Sequence, residues 1–195
     1  MVWSISGGFF LALYTLFCMR ELQLSAGTFG VIVGMGGVGS LAGALISRKL
    51  VRKLGLGHTL IVTSVLSLAC AFFIPLAGSS FAAGSFAITV GFLVAHQLLS
   101  DGFSVAFVIQ AVTLRQIVIP KETLGRANAA IHVVTSGLLP IAAIIAGVIA
   151  ELAGTRVAVW VGVLVGMIAP LFLLPLRKLR EMPPSGSGEM PVANL

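Results

Sequence analysis

The chain has 195 residues, of which 58% are hydrophobic and 9% are charged, and its mean hydropathy is +1.11. Soluble domains carry about 25% charged residues, so the composition excludes a soluble fold and indicates an all-α integral membrane protein in a lipid bilayer. The net charge of +6 would suggest nucleic-acid binding in a soluble protein. Here the basic residues lie between apolar segments, as topology signals do, and we expect no nucleic-acid partner.

Six segments are apolar and long enough to cross a bilayer, which takes roughly 20 residues each. They cover about 1–19, 28–47, 59–77, 86–114, 124–150 and 157–176. The links between them are short, so we expect sequential helices to be antiparallel neighbours in a six-helix transmembrane bundle spanning 1–180. Residues 181–195 contain a Pro/Gly/Ser run that cannot bury apolar surface, and we predict a disordered cytoplasmic tail there.

The basic residues predict the orientation of this bundle. With six crossings, ten of the twelve Lys and Arg fall on one side: Arg48, Lys49, Arg52, Lys53, Arg115, Lys121, Arg126, Arg177, Lys178 and Arg180. Cytoplasmic loops carry the excess of Lys and Arg, so both termini are expected in the cytoplasm. Five or seven crossings would scatter these charges over both faces.

The second segment contains a glycine run, Gly34 to Gly39, that matches the spacing of a dinucleotide-binding loop. That loop works only between a strand and a helix, whereas this run lies inside an apolar helix. We interpret these glycines as packing surfaces in small-xxx-small pairs, which let a neighbouring helix approach closely. The glycines assigned to helix packing are Gly30, Gly34, Gly39, Gly43, Gly162 and Gly166.

The fourth segment carries Asp101 near its middle, and we predict one long helix through it, because a break there would upset the charge pattern. A carboxylate at membrane depth is costly unless it has a partner or lines water. Gln97 and Ser104 lie about one turn away on the same face, with His96 nearby. The group fits a protonation site or a substrate contact, and it also fits an acid that is kept neutral or faces the outer water.

The fifth segment carries a polar stripe, since Asn128, His132, Thr135 and Ser136 follow one another at helical spacing. A spanning helix normally hides such a stripe from lipid. It can face a substrate path or hydrogen-bond to another helix. His132 can change its charge within the physiological pH range.

The remaining chemistry-bearing residues fit structural roles. Cys18 and Cys70 are lone thiols in apolar segments and are interpreted as small core residues, and Trp3 and Trp160 as interfacial anchors. The sequence contains no nucleophile–base constellation, paired catalytic carboxylates, metal-binding His/Cys spacing or phosphate loop. We therefore expect no enzyme, no cofactor and no metal.

The link between the fourth and fifth segments carries a family resemblance. It reads Arg115-Gln116 … Pro120 … Leu124-Gly125-Arg126-Ala127-Asn128-Ala129. Together with the acid before it and the Gly- and Pro-containing helix after it, this link resembles the major facilitator superfamily, specifically the C-terminal half of bacterial exporters of the enterobactin and macrolide efflux type. The resemblance runs from Gly7 to about Leu179. It implies a multi-pass protein of the bacterial inner membrane that exports a small amphipathic compound or a siderophore, as a proton-coupled antiporter working by alternating access.

The resemblance also assigns roles to individual residues. Arg52, Arg115 and Arg126 would lie at a cytoplasmic gate, and Asp101 would line the helix that faces the substrate path. The loop from Gly43 to Lys53 is similar to the cytoplasmic signature of the superfamily, but Ser47 stands where an acid is common.

Members of the superfamily are built from two such halves with the path between them, and this chain supplies one. The expected partner is an N-terminal transporter half or a second copy of the chain. The alternative is a truncated or non-transporting membrane protein that acts only by assembling with another membrane subunit.

Overall fold

A computed structural model describes residues 2–77, 79 and 85–181, and over these ranges the chain is all-helical. Its α-helices in chain order are α1 (Val2–Leu16), α2 (Ala26–Leu54), α3 (Leu56–Cys70), α4 (Phe73–Ala77), α5 (Phe86–Val118), α6 (Lys121–Ala153) and α7 (Thr155–Gly166). A π-helical turn, Phe17–Glu21, extends α1, and a 3-10 segment, Ala169–Glu181, follows α7. The tail predicted to be disordered lies, beyond its first residue, outside the described residues.

Within the described ranges, five helical stretches are long and apolar enough to cross a membrane. They are Ala26–Leu54, Leu56–Ala77, Phe86–Val118, Lys121–Ala153 and Thr155–Pro175. The first segment is shorter, with 15 residues in α1 before the π-helical turn. The chain is thus compatible with a multi-pass membrane protein.

Local signals explain where the helices begin and end. The Ser25 hydroxyl caps α2 by accepting from the Thr28 backbone N–H at 3.2 Å. The basic residues after Ser47 continue α2 past its predicted end, because charged side chains alone do not stop a helix. It ends at Gly55, whose φ of 78° lies in the region that favours glycine, and Gly154 ends α6 in the same way with a φ of 94°.

A break separates α3 from α4 just before Pro75. Proline lacks a backbone N–H and its ring clashes with the carbonyl four residues back. The chain tightens accordingly, and the Ile74 N–H donates to the Ala71 carbonyl at 3.1 Å. In an uninterrupted helix that N–H would bond to the Cys70 carbonyl, which is therefore left for another donor.

The helix pairs that pack most extensively include both sequential and non-sequential segments. α2 packs along α5, α3 packs along α5 and the 3-10 segment, and α1 packs along α6 and α7. By contrast, α5 and α6 touch only sparingly although two residues link them. The prediction that sequential segments are neighbours therefore holds for α3 and α4 against α5 and for α6 against α7, and it fails between α1 and α2 and between α5 and α6. A short link fixes where the next helix starts, but the small-residue surfaces decide what it packs against.

Contact register gives the helix directions. α2 and α5 run parallel, since Gly39 lies against Leu98 and Gly43 against Gly102. The basic C-terminal end of α2, the end of α5 and the start of α6 therefore share one end of the bundle. Arg156, beyond the far end of α6, lies at the opposite end.

Two clusters of buried apolar side chains hold the helices together. The first joins α1, α4, α6 and α7 through Phe9, Leu13, Phe17, Ile74, Ala142, Ala146, Ala158 and Val159. The second joins the α1–α2 turn to α2, α4 and α5 through Cys18, Leu24, Ile32, Ala77 and Leu93. Both cysteines are free and buried.

Candidate functional site

The candidate site is built on a glycine seam between α2 and α5. A Cβ added at Gly39 would meet the Leu98 carbonyl oxygen, and one added at Gly43 would meet that of Gly102. Gly102 in turn faces the Gly39 carbonyl. The two helices thus meet backbone to backbone, and residues of α5 on the border of this seam are held against α2.

Asp101 lies on that border. Its carboxylate faces Gly36, where a Cβ would collide with Oδ2. Gln97 Nε2 donates to Asp101 Oδ2 at 3.5 Å, the long limit of a hydrogen bond. Asp101, Gln97 and Ser104 are all half-buried. Among the described side chains, no Lys or Arg forms an ion pair with Asp101. The ion pair that the described residues do form, Arg156–Glu21, lies elsewhere in the bundle.

His96 belongs to a different contact. It is 8% exposed, and its Nδ1 lies 3.1 Å from the Cys70 carbonyl oxygen that the break before Pro75 leaves available. Since a carbonyl only accepts, Nδ1 carries the proton and donates. The predicted group of four polar residues therefore divides: Gln97 and Asp101 face α2, whereas His96 is bonded to α3.

Aromatic side chains of α1 form a second wall, which the sequence did not reveal. The Tyr14 ring centroid lies 5.9 Å from that of His96 and 5.7 Å from that of Phe29 on α2. Trp3 stacks on Phe107 of α5, with 4.9 Å between centroids and 10° between planes. The Trp3 ring thus packs on another helix, and its predicted place at the membrane interface stays a prediction. Finding these contacts requires knowing that side chains of α1 reach across to α5.

The Tyr14 hydroxyl is the polar atom of this wall. It is buried, and the Cys18 thiol lies close to it, one turn further along. The ring contacts Phe29 of α2 and His96 of α5. The Tyr14 side chain therefore links α1 to both helices of the glycine seam.

The polar stripe of α6 is exposed. Two of its contacts lie within α6: the Ser136 hydroxyl is 3.5 Å from His132 Nδ1, and the Thr135 hydroxyl donates to the Ile131 carbonyl at 2.8 Å. Asn128 Oδ1 accepts from Arg115 Nη1 at 3.2 Å. Over the described part of the chain, no helix covers His132, whose neighbours along α6 are also exposed.

The predicted gate residues lie at the basic end. The bond to Asn128 ties Arg115 to α6, while Arg52 and Arg126 are exposed. Beside Arg52 is an open groove of about 550 Å³ along the end of α2. It is lined by Ile46, Lys49, Leu50, Arg52, Lys53 and Leu54. The structure thus bonds Arg115, which was predicted at the gate, to Asn128, which was predicted in the pathway.

The packing glycines divide between contact and open space. Gly39 and Gly43 lie in the seam, and Cβ atoms at Gly162 and Gly166 would meet Phe9 and Ser6 of α1. By contrast, no atom lies within 4 Å of a Cβ at Gly30 or at Gly34. The packing predicted for those two glycines is therefore not found against the described helices.

The opposite end of the bundle carries a separate polar contact. Arg156 Nε lies 4.0 Å from Glu21 Oε2 and links α7 to the π-helical turn. A cavity of about 330 Å³ adjoins this pair. Within the described ranges, no three His, Cys, Asp or Glu side chains come together as a metal site would require.

No protein-family model, curated protein or solved structure matches this chain.

Proposed function

We propose that this chain is half of a membrane transporter working by alternating access, with the Asp101 face forming part of its path. The observation that carries the proposal is a half-buried carboxylate in the middle of a helix long enough to span the bilayer, with no described cation paired to it. Such a group costs about 3 kcal/mol at the centre of a spanning helix on insertion scales. Intramembrane acids are retained mainly where they bind or relay something.

The incomplete enclosure of the site supports half of a transporter rather than a complete one. Asp101 lies half-buried where α5 meets α2, while the cavities of about 550 and 330 Å³ lie toward the two ends of the bundle. His132 and its stripe are exposed on α6. A second helical unit would enclose Asp101 and cover the stripe, and the candidates are an N-terminal transporter half or a second copy of the chain.

The charge pattern supports the orientation. Most described Lys and Arg lie at the end shared by α2, α5 and α6, and the positive-inside rule makes that end cytoplasmic. Both termini are then cytoplasmic, in a multi-pass protein of the bacterial inner membrane. This arrangement and the motif around Arg126 support a place in the major facilitator superfamily.

The proposed mechanism combines a rigid helix pair, α2 with α5, and a helix with an exposed face, α6. The glycine seam makes α2 and α5 one body, whereas α6 is packed only through its second half. Rocking of this unit against its partner would expose Asp101 to each side in turn. Proton binding and release at Asp101 would couple that motion to efflux of a small amphipathic compound.

The test is flux into proteoliposomes containing the full chain, with an imposed pH gradient and fluorescent amphipathic probes of positive, negative and zero charge. We expect gradient-driven flux of at least one probe, and its loss in Asp101→Asn with membrane insertion unchanged. Glu151→Gln, which removes an exposed acid near the end of α6, is the matched control. Unchanged flux in Asp101→Asn would remove Asp101 from the mechanism.

The alternative function is a non-transporting subunit, and the exposed stripe on α6 favours it because that stripe needs a partner whether or not anything is transported. Here, substitutions at His132 would disrupt assembly with the partner, while no flux would be found and Asp101→Asn would have no effect. The mass of the detergent-solubilised complex reports that assembly.

A further inference from the structure

The groove of about 550 Å³ at the end of α2 combines apolar and basic side chains. Three of its six lining residues are basic, namely Lys49, Arg52 and Lys53, and none is acidic. The ion pair formed within the described ranges, Arg156 with Glu21, lies at the opposite end of the bundle. The positive charges of the groove are therefore not paired with any described carboxylate.

The two kinds of side chain occupy neighbouring strips of the helix. Ile46, Leu50 and Leu54 follow one another every fourth residue and form one apolar strip. At about 100° per residue, Lys49 and Lys53 lie about 60° and 20° from Ile46, on the side away from Leu50. Ile46 and Leu54 are exposed although they are apolar. The groove thus offers an uncovered apolar strip with cationic groups along one flank.

The groove lies at the depth of the lipid headgroups. The apolar run 28–47 of α2 has 20 residues, a length of about 30 Å, which matches the hydrocarbon core of a bilayer. The helix continues without a break to Leu54, so Lys49 and Lys53 stand about 3 and 9 Å beyond that run. Headgroups occupy about 5 to 8 Å on each side of the core. The lysines therefore lie in the headgroup layer and at its outer border, and Ile46 lies in the hydrocarbon.

A ligand that fits this groove carries a negative charge at headgroup depth and an apolar chain that continues into the hydrocarbon. An anionic phospholipid has both, and basic clusters next to spanning helices attract such lipids. A zwitterionic phospholipid adds an ammonium or choline group, for which the lining offers no carboxylate. A soluble phosphate compound has no chain to cover the apolar strip.

We infer that the end of α2 binds one anionic phospholipid. Its phosphate is assigned to Lys49 and Lys53, with Arg52 beside Lys49, and an acyl chain is assigned to the strip that contains Ile46. The site is distinct from the Asp101 face, because Lys49 is 13 residues along α2 from Gly36, about 20 Å at 1.5 Å per residue. The inference is therefore independent of transport.

The test is native mass spectrometry of the full chain, released from detergent micelles after titration with one of two lipids. Phosphatidylglycerol and phosphatidylcholine with the same acyl chains differ only in the headgroup. We expect one phosphatidylglycerol molecule to bind at least tenfold more tightly than phosphatidylcholine. Similar affinities for the two lipids would overturn the inference.

A competitor without acyl chains separates a lipid site from a site for soluble phosphates. Glycerophosphoglycerol, which has the headgroup of phosphatidylglycerol, is added to the lipid complex at the same concentration as the lipid. We expect the bound lipid to remain. Displacement of half of the lipid would assign the groove to soluble phosphate compounds and overturn the inference.

Variants localise the bound lipid. Lys49→Gln and Lys53→Gln should each weaken phosphatidylglycerol binding about fivefold, the contribution of one basic residue near an anionic membrane surface. Arg48→Gln is the matched control, because it removes the same charge from the same turn while Arg48 does not line the groove. It should change the affinity less than twofold.

Two results with these variants would contradict the site. Wild-type affinity in both lysine variants would place the lipid elsewhere, and an equal loss in Arg48→Gln would mean that the lipid responds only to the overall charge of α2. All three side chains are exposed, so we expect the variants to fold. If one does not, the comparison of the two lipids on the unaltered chain still decides.

Discussion

The seam between α2 and α5 and the first half of α6 are both apolar and helical, yet they differ in how they are packed. In the seam, Gly39 and Gly43 bring two backbones together. In α6, the buried residues are Ala142 and Ala146, and those before them are exposed or half-buried. In a bilayer, lipid solvates apolar side chains as well as protein does, so small and polar residues decide which faces associate. The seam is packed within the chain, whereas in the stripe on α6 Asn128 bonds to Arg115 of α5 and His132 packs on no other described helix.

The largest effect is expected from filling the seam. Gly43→Val should lower the free energy of unfolding by about 3 kcal/mol or more, because the new side chain meets the Gly102 backbone, which cannot rotate away. Thermal unfolding in detergent, followed by helical circular dichroism, measures it.

The matched control is Gly34→Val, on the same helix but with no atom within 4 Å of the added Cβ. It should be close to the wild type in stability. Equal stability of the two variants would mean that close approach at Gly43 does not hold α2 against α5.

A smaller effect is expected from the polar contact between α3 and α5. The Ser67 and Ser100 hydroxyls each donate to the other residue's carbonyl, at 2.9 and 3.0 Å. Ser100→Ala should cost about 0.6 kcal/mol, the average for hydrogen bonds between membrane helices. Ser104→Ala, on the same helix, serves as the control, and equal losses would show that the serine pair adds nothing specific.

The smallest effect on the isolated chain is expected at the stripe. His132→Leu should change the free energy of unfolding by less than about 0.5 kcal/mol, since the side chain is exposed and packs on no other described helix. It should nevertheless reduce assembly with a second unit, as measured by the mass of the solubilised complex. Ile144→Ala, an exposed apolar position on the same helix, should leave assembly unchanged. If His132→Leu unfolds the isolated chain, the stripe is structural.

The helical class and the continuous helix through Asp101 could be predicted because apolar length and charge placement are local signals. The glycines of α2 that contact α5 were predicted less well, although the helical repeat identifies them. At about 100° per residue, Gly34 and Gly39 point about 140° apart. The pair Gly30 and Gly34 therefore cannot share a face with the pair Gly39 and Gly43. Gly36, Gly39 and Gly43 fall within about 60° of one another, and they are the glycines that meet α5.

The aromatic wall could not be predicted, because it depends on which helices are neighbours. Link length suggested sequential pairing, which would have placed α1 beside α2 alone. The contacts of Tyr14 with His96, and of Trp3 with Phe107, arise because long aromatic side chains of α1 reach across to α5. Nothing in the local sequence around Trp3 distinguishes a stacked ring from one at the lipid headgroups.

The interruption before Pro75 has a consequence on another helix. With an ordinary residue at position 75, the Ile74 N–H could return to the Cys70 carbonyl. That oxygen, which now accepts from the His96 ring, would then be shared between two donors. One imino acid in α4 thus helps to anchor an imidazole on α5, and the sequence of one helix sets a side-chain orientation on another.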